Sequence, residues 1–333
     1  MSKDFGNVQT GRREALMGLT AAAAMAGFGS SATALADTLQ ALPSGFVSQT
    51  VHANGIDIHY VSTGRGPSLV LLHGWPEFWL TWRPVAKRLR DRFTLIMPDL
   101  RGFGRTRNPI QGPTDIESAD LLADDLAALE RAIGVEHAGI VSHDVGAYVA
   151  QSFARRHPDL TTRLFFFNCP TPGVGNRWIA DGHVVETWYQ YFNTTPMAAA
   201  LATSSREACQ VYIGYILKHW SHVKTAFDED MEAWIDNFMS PGVMQGGFDW
   251  YIGGQADRLK VIEGKANALP KISMPTRVFW GANDVVNLPE WTDRLGETFE
   301  DIQIGFAAQA GHFVHREQPD IAADTIAAFF SAR

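Results

Sequence analysis

The sequence predicts an α/β protein, a mostly parallel sheet with helices on both faces and one inserted helical segment. Three observations carry this. Short continuous apolar runs alternate with helix-like stretches, the pattern of strands buried on both faces. That rhythm stops after Asn168, and residues 172–262 are rich in Trp, Tyr, Phe and Met without short β runs. It returns at residues 276–280 and continues to the end of the chain.

Each element follows from its residues. Residues 46–52 and 56–61 flank Ala53-Asn54-Gly55, an Asn-Gly hairpin signal. Residues 68–72 form an all-apolar run ending in His73-Gly74, and residues 93–97 form another ending in Pro98-Asp99. Between them, 79–90 mixes Trp, Leu, Val, Lys and Arg as a surface helix would. Leu122, Leu126, Leu129 and Ile133 recur at helical spacing and predict an amphipathic helix over 117–133. Residues 138–141 and 163–167 supply two more buried strands, with a helix between them over 146–157. After the insertion come a strand at 276–280, a helix near 288–297, a strand near 302–307 and a terminal helix over 319–330. The resulting division is 37–171 and 263–333 as one core, with 172–262 as a helical cap.

Composition narrows the function. The 333 residues are 46% hydrophobic and 19% charged, with 30 Gly and 16 Pro, a globular balance long enough for a sizeable core. A net charge of −8 argues against a nucleic-acid partner. Two cysteines, Cys169 and Cys209, exclude a disulfide framework and offer no zinc spacing, and they do not by themselves imply pairing.

The first 36 residues read as an address. Arg12-Arg13 precedes an Ala-rich apolar stretch and an exit at Ala34-Leu35-Ala36, the parts of a cleavable export signal. The paired arginines resemble a bacterial twin-arginine signal, although Ala15 stands where that motif prefers a bulky apolar residue. The expectation is a periplasmic or secreted protein. The stretch is too short and too rich in Ala and Gly for a permanent membrane span.

The chemistry lies at strand ends. Ser142-His143-Asp144-Val145-Gly146 follows Ile140-Val141 and opens a helix. This is the small-x-nucleophile-x-small pattern of a sharp strand-to-helix elbow, with Asp144 in the nucleophile's place. An aspartate there suits a helix N-cap equally well. Asp284 follows the strand at 276–280, and His312 follows the last strand, so nucleophile, acid and histidine arrive in the order such a fold requires. His315, three residues on, is the nearest competitor.

His73-Gly74-Trp75-Pro76-Glu77-Phe78-Trp79, Asp99-Leu100-Arg101-Gly102-Phe103-Gly104, the aspartate elbow and the late Gly311-His312-Phe313 together resemble the epoxide hydrolase branch of the α/β-hydrolases. The resemblance runs from about Val51 to Phe330, and departs at Ser142, where relatives usually carry Gly. It implies an α/β-hydrolase fold and a covalent alkyl ester on Asp144, hydrolysed by water that His312 activates with Asp284 behind it. Backbone N–H groups of Trp75 and Val145 would hold the oxyanion. Two cap tyrosines would meet the epoxide oxygen: Tyr189, with Tyr191 as its rival, and Tyr251. Trp79, Trp188, Phe192 and Trp250 are candidates for an apolar pocket lining, or equally for cap core. The substrate is then an apolar epoxide plus water, with no cofactor or metal; the oligomeric state is not legible. The alternatives are a dehalogenase on the same aspartate and a non-catalytic exported binding protein. Dehalogenases often place Trp or Arg after the nucleophile, where this chain has Val145. Tyr148 replaces another arginine expected of fluoroacetate dehalogenases, and Asn168 stands where some dehalogenases carry the triad acid.

Overall fold

A computed structural model of the chain describes residues 42–107, 118–168 and 170–331. The proposed export signal and Cys169 lie outside them. Among the described residues, eight strands form one sheet: β1 (Phe46–Ala53), β2 (Ile56–Gly64), β3 (Ser68–Leu72), β4 (Thr94–Pro98), β5 (Ala138–His143), β6 (Thr161–Phe167), β7 (Thr276–Gly281) and β8 (Ile302–Ala307). Their spatial order is β1-β2-β4-β3-β5-β6-β7-β8. The β1–β2 hairpin and the β2–β4 pair are antiparallel, and every other pairing is parallel. Asn54 and Gly55 both take positive φ, 47° and 77°, as a two-residue primed turn requires.

The central strands explain the apolar runs. β3, β4, β5 and β6 are buried almost end to end, because helices cover both faces of a parallel sheet. The covering helices are α1 (Arg83–Leu89), α2 (Ala119–Ala132) and α3 (Val145–Arg156). Ser118 caps α2 by accepting the Leu121 N–H. One sequence expectation needs correcting here. Residues 79–82 are not a surface helix but a buried 3-10 turn, in which Trp82 and Thr81 are fully enclosed. The neighbouring Arg and Lys belong to α1 and gave the whole stretch an amphipathic look.

Between β6 and β7 the named elements are all helical: 3-10 turns, then α4 (Trp188–Phe192), α5 (Ala198–Ala202), α6 (Arg206–Trp220), α7 (Met231–Met239) and α8 (Val243–Ile262). These helices share the main hydrophobic core, to which they contribute Tyr189, Trp220, Trp234, Phe238 and Phe248. Trp234 Nε1 donates to the Pro76 carbonyl at 2.9 Å, tying α7 to the loop after β3. Residues 289–297 form a 3-10 helix after β7, and α9 (Val314–Glu317) and α10 (Pro319–Ser331) close the chain. Cys209 is buried on α6 as a free thiol. No helix among the described residues is long and apolar enough to cross a membrane.

Candidate active site

Trp75, Asp144, Asp284 and His312 lie in the segments that follow β3, β5, β7 and β8. Asp144 sits between β5 and α3 with φ 49° and ψ −114°, a conformation that side-chain-bearing residues rarely hold outside functional turns. It occupies the N-cap position of α3, but its side chain makes no capping hydrogen bond there and is left for other partners. The small neighbours are needed for space. A Cβ on Gly146 would stand 2.5 Å from the Leu72 carbonyl oxygen, and one on Gly74 would stand 2.3 Å from Asp144 Cβ.

Around that carboxylate the partners are specific. The Trp75 N–H donates to Asp144 Oδ1 at 2.8 Å, whereas Val145, at the first turn of α3, makes no hydrogen bond to it. His312 Nε2 faces Oδ2 at 3.7 Å, an ion-pair distance longer than a hydrogen bond. His312 Nδ1 bonds Asp284 Oδ2 at 2.8 Å. Asp284 Oδ1 accepts the N–H groups of Val286 and Asn287 at 2.8 and 3.0 Å. Asn168 donates its amide to Asp284 Oδ2 and accepts the Gly281 N–H, so the residue after β6 braces the acid after β7.

Charge follows geometry. Burial opposes a charge on His312, but Asp284 and Asp144 outweigh it and raise its pKa to about 10. Burial likewise works against the Asp144 carboxylate, yet His312, His143 and the Trp75 N–H hold its pKa below the usual value. The resting pair is therefore imidazolium and carboxylate.

His315, the rival histidine, has a different place. With His143 it flanks Glu77, whose carboxylate accepts His143 Nδ1 at 2.7 Å, His315 Nε2 at 2.8 Å, the Thr81 hydroxyl at 2.6 Å and the Gly74 N–H at 2.9 Å. Burial lowers the His315 pKa to about 4 despite that carboxylate, so the ring is neutral. Glu77, His143 and His315 are the one buried trio among the described residues with metal-ligand spacing. Their ligand atoms already serve these hydrogen bonds, and an ion there would have to displace them. His143 Nε2 also meets the His312 carbonyl at 2.9 Å, so the trio braces both the elbow and the histidine loop.

Two phenols complete the site. Tyr189 is buried, with its ring 5.6 Å from that of Tyr251, and Tyr251 packs at 5.8 Å against Trp75. Burial raises both phenol pKa values, and the Asp144 charge adds to the rise in each. Tyr191 is 39% exposed and lies under the Arg258 guanidinium instead. Of the proposed pocket aromatics, Trp79 is buried, Trp250 packs 6.0 Å from Tyr148, and Phe192 sits among Tyr212 and Phe248. Trp188 is 37% exposed against Tyr212 and Tyr215.

The inserted helices also grip the histidine loop. The His312 N–H donates to the Trp220 carbonyl at 3.0 Å, and the two rings meet edge to face at 5.2 Å. The buried Glu317 carboxylate accepts the N–H groups of Gly311 and Phe313 at 3.0 Å and of Val223 at 2.8 Å. Sequence reasoning missed Glu317, Gln190, Arg258 and the roles of Glu77 and Asn168. Glu77 carried a signal as part of the His73–Trp79 motif, Asn168 as the position where some dehalogenases place the triad acid, and Gln190 by standing next to Tyr189.

Comparison with known proteins bears on the fold and the family. Residues 67–319 match the α/β-hydrolase fold family. The chain is 31% identical over 287 residues to a soluble epoxide hydrolase of Corynebacterium sp. (strain C12), covering 84% of this chain and 95% of that one. It is 26% identical to epoxide hydrolase 1 of Caenorhabditis elegans, over 86% of this chain and 71% of the other. Among solved structures, the ligand-free epoxide hydrolase CorEH superposes with a TM-score of 0.74 at 30% identity, covering 86% of this chain and 99% of that one.

Proposed function

The chain belongs to the α/β-hydrolase fold family, in its epoxide hydrolase branch, and on that premise we propose that it opens an epoxide to a vicinal diol through an alkyl ester on Asp144. One observation carries this reading: a buried carboxylate on a strained elbow, paired with His312 and within the electrostatic reach of two phenols. Asp144 attacks a ring carbon, the C–O bond breaks, and its electron pair goes to the ring oxygen. A phenol of Tyr189 or Tyr251 gives that oxygen a proton, and the excess proton of His312 restores the phenol. The ester removes the Asp144 charge, so His312 loses a support of its raised pKa and becomes a base.

His312 then takes a proton from water, and the hydroxide attacks Asp144 Cγ. The oxyanion falls to the Trp75 N–H, with Val145 as the second donor. When the diol leaves with a proton from His312, the new carboxyl returns its own proton to His312 and the ion pair reforms. In this reading residues 172–262 are a cap over the core of 37–171 and 263–333, and residues 1–36 are an export signal. Export would be tested by the N-terminus of protein recovered from the periplasm, which should begin at Asp37.

Dehalogenation on the same aspartate has no comparable support, because the aliphatic Val145 offers no halide donor. The functional test is turnover of aliphatic and aromatic epoxides by purified protein beside haloalkanes and fluoroacetate. Diol from an epoxide is the expected product; halide release with no diol would overturn the reading.

A further inference from the structure

We propose that Gln190 and Arg258 form a positioning chain that fixes the direction of the Tyr189 hydroxyl hydrogen and makes Tyr189 the standing proton donor of the pair. The inference rests on the epoxide-opening role proposed for the two phenols, and it assigns them unequal parts. A guanidinium can only donate hydrogen bonds. Arg258 donates from its NH1 to Gln190 Oε1, so the amide oxygen of Gln190 must face Arg258. The amide nitrogen is then the end that faces Tyr189 Oη, at 3.0 Å. An amide NH₂ has no acceptor capacity, so Tyr189 Oη accepts. Its single hydrogen is left for a different partner. The charged end thus sets the polarity of the whole chain.

The chain is held in place at each link. Gln190 and Tyr189 are both buried. Arg258, on α8, lies 4.8 Å above the Tyr191 ring, which gives the partly exposed rival tyrosine a supporting place. The Tyr189 ring is wedged edge to face against Trp220 at 4.7 Å and Tyr251 at 5.6 Å, so the phenol cannot swing away from the amide without losing both contacts. Burial makes Tyr189 a weak acid, while the Gln190 hydrogen bond and the Arg258 charge work the other way. Among the described residues no protein donor reaches Tyr251 Oη, whose ring contacts are Trp75 and Tyr189. Tyr251 is therefore free to rotate its hydrogen, and Tyr189 is preset.

Gln190→Glu separates this from simple packing. A carboxylate keeps the link to Arg258 as an ion pair but accepts from Tyr189 as well, drawing the phenol hydrogen away from the site. Single-turnover alkylation should slow roughly ten- to a hundredfold, as for loss of one donor to a developing charge. In a Tyr189→Phe background the same change should cost no more than about twofold, because the group it acts on is gone. Arg258→Met, which frees the amide to flip, should slow alkylation several-fold, and Arg258→Lys should recover most of that loss. A Gln190→Glu penalty that carries over in full to the Tyr189→Phe background would overturn the inference. So would no penalty at all.

A second readout does not depend on turnover. The Raman Fermi doublet of Tyr189, isolated by difference against Tyr189→Phe, should report an accepting oxygen in the wild type and a donating one in Gln190→Glu. An unchanged doublet would overturn the chain even where the enzyme opens epoxides. A changed doublet in a protein that opens none would uphold the chain and fail the functional reading.

Discussion

His312 Nε2 stands 3.7 Å from Asp144 Oδ2 with both side chains buried, so a charged pair occupies the centre of the site before any substrate arrives. The folded pKa of His312, about 10, lies above the value of roughly 6.5 that an unfolded histidine has. The stability that the His312 charge gains from Asp284 and Asp144 is therefore full below about pH 6.5, down to the range where Asp144 protonates, and is lost as pH rises through about 10. The unfolding temperature should fall across that window, and His312→Gln should make the fall shallower. Calorimetry at several pH values reads this directly; parallel curves would refute a His312 charge held by Asp284 and Asp144.

Removing the base should also divide the reaction in two. His312→Gln leaves the Asp144 carboxylate and both phenols in place but removes the group that activates water. The alkyl-enzyme should then accumulate as a mass increase equal to the epoxide. A His312 variant with normal turnover would sink the assignment, because His315 is locked on Glu77 and held neutral.

Isotope placement tests the covalent step itself. If hydroxide attacks Asp144 Cγ, a single turnover in ¹⁸O water should leave label in the Asp144 carboxylate. Label in the diol alone would mean that water attacks the epoxide directly.

The elbow makes a steric prediction. Gly74→Ala places a methyl 2.3 Å from Asp144 Cβ and 2.9 Å from the His143 carbonyl oxygen. Overpacking of this kind costs about 1–3 kcal/mol, and the shift falls on the nucleophile, so activity should drop by more than about a hundredfold. Gly55→Ala is the control. Its φ is positive, at 77°, unlike that of Gly74, but nothing lies within 4 Å of the added carbon. It should cost about 1 kcal/mol in denaturant unfolding and leave turnover intact.

How far this site could be read from the sequence depends on which contacts are local. The sheet was legible because β3 to β6 are continuous apolar runs, each ending in a motif residue. Asp144, Asp284 and His312 were legible because each follows a strand in a fixed order. The Glu77–His143–His315 brace joins residues 66 and 238 positions apart, and no periodicity marks such a contact. Thr81 and Trp82 were misjudged because the basic residues of α1 masked a buried turn. Gln190 lay beside a candidate tyrosine, but its partner Arg258 is 68 residues away on another helix.

The two phenols give the sharpest separation of epoxide opening from any other use of this aspartate. Tyr189 and Tyr251 stand ring to ring, 5.6 Å apart, and the Asp144 charge acts on both. Removing one leaves the other as a donor, so Tyr189→Phe or Tyr251→Phe should slow alkylation roughly ten- to a hundredfold, a loss of about 1.5–3 kcal/mol for a hydrogen bond to developing charge. If Tyr189 is the preset donor, its loss should be the larger of the two. The double Phe variant leaves the ring oxygen no donor and should be nearly inactive toward epoxides while remaining folded. An activated halide leaves without a proton, so any weak dehalogenase side activity should survive the same double change. Alkylation rates for both substrate types in that variant decide the matter. Equal losses would mean that the tyrosines only shape the cavity, and the proton-donor role would fall with them.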